Sequence, residues 1–274
     1  MSVGLEPLFV YAGGKGRSLR HISRYLKYSN TYVEPFFGAG AVYCHMVNLG
    51  LAKRFIINDI RNDIIGIYRA IQHDHVAFAC EIIDLLKTYR DLSPGNQEAM
   101  FIEARDSLKL QYNAAKHLFV RKSDYGGITK VDQDGKYNGH SGHMRGPNRT
   151  VKIDQDQILM WKMALDKTEL CCGDFEKIKF DPDGSLVFCD PPYHASRIAY
   201  GEFTKFDQIR CLNWCNKIGE NRNARVLLSN RDHNKFFSKR IGDGIRKCEY
   251  HITYSAGENV RSKETLFMWN VRSV

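Results

Sequence analysis

The sequence predicts an α/β protein in which a largely parallel sheet is split by an inserted, mainly helical segment. Three observations carry that expectation. Short apolar, β-branched runs end in turns of Gly, Pro or Asp, helix-spaced apolar stretches follow several of them, and the alternation stops between residues 62 and 165. The run Leu186-Val187-Phe188-Cys189 reads as a buried strand that Pro191 and Pro192 terminate. Each proline also holds the residue before it extended. A carboxylate (Asp190), a carbonyl (Pro191) and a ring (Tyr193) are thereby gathered at the carboxyl end of a strand, where open α/β sheets bind ligands.

Taken in order, Leu8-Phe9-Val10-Tyr11 reads as a strand or extended segment. A glycine turn, Ala12-Gly13-Gly14-Lys15-Gly16, and a helix carrying Leu19, Ile22, Tyr25 and Leu26 follow. The glycine turn lacks the spacing of a phosphate-binding loop. Thr31–Glu34 is the next strand. It leads through Pro35, Phe36 and the glycines Gly38 and Gly40 into a helix over 41–49. Arg54–Asn58 then runs into Asp59, 19 residues after Gly40, the position of an acid that bonds a ribose hydroxyl. The third glycine of a dinucleotide fingerprint is absent, so this Rossmann-like unit fits a nucleoside cofactor without a pyrophosphate better than a nicotinamide dinucleotide. Helical spacing recurs around 64–71, 78–89 and 97–120, before a polar, Gly-rich stretch over 125–149. Beyond the Pro191-Pro192 turn, 207–218 has helical spacing and 226–230 reads as a buried strand. Residues 248–254 and 265–271 read as two strands around a Gly257-Glu258-Asn259 turn.

The chain has 274 residues, 43% apolar and 26% charged, with net charge +9 and pI about 9.1, which suits a polyanionic partner. Neither a signal-type segment nor a bilayer-length apolar run is found, and a cytoplasmic protein is expected. Cys211 and Cys215, four apart, read as two thiols on one helix face rather than half a zinc site. Reduced cysteines and no metal are expected.

The constellation at Asp190 suits a planar exocyclic amine. Such a nitrogen is a poor nucleophile because its lone pair is delocalised into the ring. Asp190 and the Pro191 carbonyl are placed to accept its two N–H bonds while Tyr193 stacks on the base. The plain alternative is a solvated Pro-Pro turn.

Four segments together resemble the Dam family of DNA adenine methyltransferases, in that family's order and over essentially the whole chain. They are Tyr11-Ala12-Gly13-Gly14-Lys15, Val33–Gly40, Asn58-Asp59-Ile60 and Asp190-Pro191-Pro192-Tyr193. The resemblance implies a Rossmann-like methyltransferase domain that binds S-adenosylmethionine (1–61 and 166–274) and a mainly helical recognition domain (62–165) for double-stranded DNA. It implies cofactor contacts at Tyr11, Ala12, Gly13, Lys15, Glu34, Pro35, Phe36, Gly38 and Gly40, with Asp59 on the ribose, Asp174 and Phe175 by the adenine, and Asp190 also at the cofactor. The target base falls to Asp190, Pro191, Pro192 and Tyr193. The methyl would pass directly to adenine N6 of a flipped base, without a covalent enzyme intermediate.

Residues 107–152 carry nine Lys or Arg against three Asp, which is +6 of the chain's +9. By composition this is either a DNA-contacting surface or a solvated basic loop. On the resemblance, Tyr125 stacks or holds phosphate, Ile128 acts as a wedge and Lys130 reads a base edge. Arg121, Lys122, Tyr137, Arg145 and Arg149 are further DNA contacts on the basic stretch. Arg261 and Lys263 have two readings, a phosphate grip or a solvated hairpin tip. Lys130 stands where bacterial relatives have Arg, Val10 where they have Lys, and 137–142 differ as well. GATC is therefore the default target, with another or a relaxed target open.

The rival readings are an amine methyltransferase acting on cytosine N4, RNA or protein glutamine, a silent DNA-binding or antirestriction protein, and a nicotinamide oxidoreductase. Asp190 disfavours the glutamine reading, because those enzymes carry Asn there. The chain is expected as a monomer in solution, with more than one copy on DNA allowed. It is placed in a bacterial cell or phage-infected host.

Overall fold

The computed structural model describes residues 4–11, 13–124, 152–193, 203–254 and 260–271. Its strands are β1 (Ser29–Glu34), β2 (Ala52–Asp59), β3 (Thr168–Cys172), β4 (Ser185–Cys189), β5 (Arg225–Asn230), β6 (Arg246–Tyr254) and β7 (Val260–Trp269). They form one sheet in the order β3-β2-β1-β4-β5-β7-β6. β1 pairs in parallel with β2 and β4, and β4 with β5, while β7 runs antiparallel to β5 and β6. The order reverses between β1 and β4. Glu34 and Asp190 therefore stand at the carboxyl ends of the two strands that flank a topological switch point, where this architecture opens a ligand crevice. β4 is buried at every position and β5 at all but its first, as befits parallel strands covered on both faces.

The chain divides into two compact units. One comprises Met1–Gly14, Gly38–Cys44 and Arg61–Leu170, the other Lys15–Phe37, His45–Ile60 and Cys171–Val274. In the first, α3 (Asn62–Asp91) breaks at Asp74 (φ −145°, ψ 85°), whose Oδ1 accepts the Ala77 N–H at 3.0 Å and so caps the second half. The two helices read at 64–71 and 78–89 are these halves. The single helix read at 97–120 is in fact two, α4 (Pro94–Ser107) and α5 (Ala114–Ser123), because Asn113 caps Lys116 and starts a new helix. α6 (Gln155–Leu165), capped by Asp154, and β3 were not read from the sequence. Trp161 is fully buried in this unit, stacks on Tyr43 at 5.7 Å and donates its indole N–H to the Glu6 carbonyl.

In the second unit the helix expected over 19–26 is only one turn, α1 (Leu19–Ile22), with 3-10 turns at Lys15–Arg17 and Ser23–Tyr25. Ser18 makes no side-chain cap and Leu26 leaves helical torsions (ψ 88°). Residues 8–11 join no strand. α2 (Ala41–Asn48) follows the glycine turn as expected. α7 (Lys205–Gly219) opens with a Thr204/Asp207 capping box and buries Cys211, Leu212 and Cys215 among Val33, Val187, Val226 and Phe267 of the sheet. No helix among the described residues is long and apolar enough to cross a membrane.

At Gly219, the last residue of α7, an added Cβ would lie 2.5 Å from the Trp269 ring and 3.1 Å from its Cβ. That ring is fixed by its N–H bond to Asn216. Ala ordinarily gains about 1 kcal/mol over Gly in a helix. Here overpacking of about 1–3 kcal/mol outweighs it. Gly219→Ala is expected to lower the urea midpoint; a raised midpoint would show that α7 and β7 separate freely.

Candidate active site

The site grows from the loops that leave β1, β2, β3 and β4. Asn58, buried at the end of β2, donates through Nδ2 to the carbonyls of Pro35 (2.9 Å) and Gly173 (3.0 Å). Its own carbonyl accepts the Phe37 N–H, and the Gly173 N–H bonds the Asp59 carbonyl. One side chain thus ties three strand ends together. Asp59 and Glu34 are both buried, and Glu34 Oε2 accepts the Tyr32 hydroxyl at 2.8 Å. Phe36 lies against Phe175 (5.2 Å) and Phe203 (5.8 Å). Beside them Asp174 caps Glu176 through Oδ1 and accepts Arg210 through Oδ2 at 2.7 Å, while the Arg210 guanidinium stands over Phe175.

The turn after β4 is pinned at every residue but Pro191. Gln208 of α7, fully buried, donates Nε2–H to the Pro192 carbonyl (2.6 Å) and accepts from Asn230 Nδ2 (3.0 Å). The Tyr193 hydroxyl meets Ser229 Oγ at 3.1 Å, and the Lys15 ammonium and Arg231 guanidinium lie 4.7 and 5.6 Å from the Tyr193 ring centre. Lys15, itself buried, bonds Asp190 Oδ2 at 2.7 Å. Asp190 Oδ1 is sealed from solvent and has no hydrogen-bond partner among the described residues, although 17% of the side chain is exposed. Burial pushes the Asp190 carboxyl up to about 6, with Lys15 opposing the shift and the buried Glu264 adding to it. A sealed, partnerless carboxylate oxygen is costly unless a donor arrives. Such an atom on a ligand-crevice turn is a receptor for an N–H.

The sequence profile of the D12 class N6 adenine-specific DNA methyltransferases matches residues 11–252. The chain belongs to this family. Among curated relatives, the Type II methyltransferase M.MjaIII of Methanocaldococcus jannaschii is 28% identical over 86% of this chain and 87% of its own length. The DNA N-6-adenine-methyltransferase of Escherichia phage P1 is 29% identical over 81% of this chain and 29% of its own. The DNA adenine methylase of Vibrio cholerae serotype O1 is 24% identical over 81% of this chain and 80% of its own.

In this D12-class chain the second unit brings together Lys15, Glu34, Pro35, Phe36, Asp59, Asp174, Phe175, Asp190, Pro191, Pro192 and Tyr193. Tyr11, Gly13, Gly38 and Gly40 lie in the first unit. There Gly38 has φ +55°, and a Cβ on it would sit 2.9 Å from the Tyr11 ring, so that close approach requires glycine. Ala12, Tyr125, Ile128, Lys130, Tyr137, Arg145 and Arg149 lie outside the described residues, as does the side chain of Arg261. Arg121 corrects the reading of a basic DNA-facing run. It is 1% exposed, bonds Asp63 and lies over Phe9, so its charge serves the interior of the helical unit. Lys122 donates to the Leu8 carbonyl at 3.1 Å, and Lys263 pairs with Glu249 across the β6–β7 hairpin at 2.7 Å. Arg210 and Gln208 were missed as site residues, and Ser229 and Asn230 were read only as the polar end of a buried strand near the site. The polar Ser229-Asn230 end of an otherwise apolar strand was the one signal for them.

Proposed function

We propose that the protein transfers a methyl group from S-adenosylmethionine to the N6 amine of adenine in double-stranded DNA, with the base flipped into the turn after β4. The observation that carries this reading is Asp190, with Oδ2 held by Lys15 and Oδ1 buried without a partner among the described residues. An adenine amine would donate one N–H to Oδ1 and the other to the Pro191 carbonyl, which turns its lone pair out of the ring plane. Tyr193, fixed by Ser229, offers the stacking face. S-adenosylmethionine supplies an electrophilic methyl on a sulfonium. The chain's donor set suits it: the Asp59 carboxylate for ribose hydroxyls, the Phe36–Phe175 pair for an adenine ring, and Asp174, steadied by Arg210, for that ring's amine. No metal has a role in this reading. We assign recognition to residues 62–165 and catalysis to 1–61 and 166–274. GATC is the default target, DNA contacts are placed at Lys122, Tyr125, Ile128, Lys130, Tyr137, Arg145, Arg149, Arg261 and Lys263, and the enzyme works on DNA in the cytoplasm, a monomer in solution with more than one copy allowed on DNA.

The test is to incubate unmethylated genomic DNA with protein and S-adenosylmethionine, then read 6-methyladenine by single-molecule sequencing. Methylation confined to GATC supports the whole reading. Methylation at another motif keeps the chemistry and reassigns the target. No methylated adenine sinks the proposal.

Two further results are expected. The transfer rate falls as pH drops through about 6, where Asp190 takes up a proton and loses an acceptor. A rate flat from pH 7 to 5 would remove Asp190 as acceptor. Gln208→Leu frees the Pro192 carbonyl and strands Asn230 Nδ2. It should lower kcat by on the order of 10- to 100-fold with cofactor Kd within a few-fold, and Gln208→Glu should not rescue it, since a carboxylate cannot donate. Wild-type kcat in both variants would show that α7 does not hold the turn.

A further inference from the structure

Immediately behind the catalytic turn lies a cluster that methyl transfer does not use. Cys189 is the last residue of β4, directly preceding Asp190, and Cys211 and Cys215 stand one turn apart on α7. All three are free thiols, fully buried in the core of the second unit. Their sulfurs lie within 4.8 Å of one another, Cys189 and Cys215 at 3.6 Å.

We infer that Cys189, Cys211 and Cys215 form a site for one soft, thiophilic metal ion, and that filling it inhibits the enzyme through Asp190. The geometry is the first argument. Three thiolate sulfurs around one ion at the zinc–sulfur distance of about 2.3 Å sit about 4 Å apart. The cluster is close to that spacing already, on a strand end and one helix face, so an ion needs only a small adjustment of the strand end.

Charge selects the occupant. The lining is apolar, with Val33, Val187, Leu212 and Val226 in the same core, so the filled site must be near neutral. A divalent ion achieves this by displacing two protons: two S–H bonds break, two metal–thiolate bonds form, and both protons leave to solvent. The third sulfur remains a neutral thiol donor. Because binding releases protons, uptake strengthens as pH rises. Zn(II), Cd(II) and Hg(II) meet the requirement; Mg(II), which prefers oxygen, does not.

The consequence for catalysis follows from connectivity. Seating an ion opens the 3.6 Å contact between Cys189 and Cys215 toward about 4 Å, which presses the strand end that carries Asp190 away from α7, and α7 also carries Gln208, which holds Pro192. Inhibition is therefore not relieved by more DNA or more cofactor. This last step rests on the proposed function; the metal site does not.

The experiment uses the full reduced chain with Cys80, Cys171, Cys172 and Cys248 changed to Ser, which removes the exposed and half-exposed thiols outside the cluster. Cd(II) is added both to the folded protein and during refolding, so that slow entry cannot hide the site. The expected result is a thiolate-to-cadmium charge-transfer absorption saturating at one equivalent and unaffected by excess Mg(II). Cys211→Ala and Cys215→Val, each confirmed folded by circular dichroism, should weaken binding by on the order of 100-fold and leave methyl transfer resistant to Cd(II). Absence of the absorption in both preparations, or equal binding by both variants, overturns the site. Binding without inhibition overturns the coupling to Asp190 and leaves the site standing. Failure of the wild type to methylate DNA without metal would instead fault the proposed function.

Discussion

Asp190→Asn is expected to lower kcat by on the order of 1000-fold while the S-adenosylmethionine Kd and the KM for DNA stay within a few-fold. The substitution keeps the shape of the turn and removes its charge. In the wild type, one oxygen is held by Lys15 at 2.7 Å and the other is a buried acceptor without a partner among the described residues. An Asn at this position presents one acceptor and one donor. If the oxygen faces Lys15, the amide N–H faces the incoming amine and repels it; if it faces the amine, two donors meet at Lys15. Neither rotamer restores the wild-type pattern, and the negative charge that would stabilise a nitrogen losing its lone pair to a methyl is gone in both. Single-turnover rates separate this effect from slow product release. Near-normal single-turnover rates in Asp190→Asn would remove the carboxylate from the mechanism. An equal loss in cofactor affinity would make Asp190 a binding group instead.

The sequence displayed the parallel half of the fold because its signals are local. β4 and β5 each carry a continuous apolar stretch (Leu186–Cys189 and Val226–Leu228), and the turns after β1 and β4 carry Gly or Pro that only those positions need. The polarity of the β6–β7 pairing was equally legible from two strands around one turn, whereas the antiparallel β5–β7 pairing was not read. The recognition helices were harder to bound, since apolar spacing runs across Asn113 and only its side-chain cap marks the division. Arg121 shows why a basic run misleads. Composition counts charge without regard to direction, and one face of α5 spends its cation on Asp63, more than fifty positions away in the chain. The candidate site divided in the same way. Asp190 and Tyr193 were visible as a tetrapeptide, whereas Gln208, Asn230 and the Lys15 pairing arise from contacts between distant segments, which no spacing rule encodes.

Lys15→Met should produce the second large effect, and its form decides what Lys15 does. The family resemblance gives Lys15 to the cofactor, whereas the structure places its ammonium on Asp190. Burial drives the Asp190 carboxyl toward its neutral form, Lys15 is the first influence that opposes this, and Glu264 reinforces the burial. Without the ammonium the carboxyl titrates above its present value of about 6. The native state already binds this proton more tightly than the unfolded chain. The stability it confers is therefore complete below the ordinary carboxylate range and lost as pH rises through about 6. In Lys15→Met that loss moves to higher pH and grows at pH 7. Activity should fall by on the order of 100-fold at pH 7 and recover partly as pH is raised, with the acid limb of kcat displaced upward and the cofactor Kd little changed. A cofactor Kd that rises with no movement of the acid limb would return Lys15 to the cofactor and leave Asp190 to be charged by its surroundings alone.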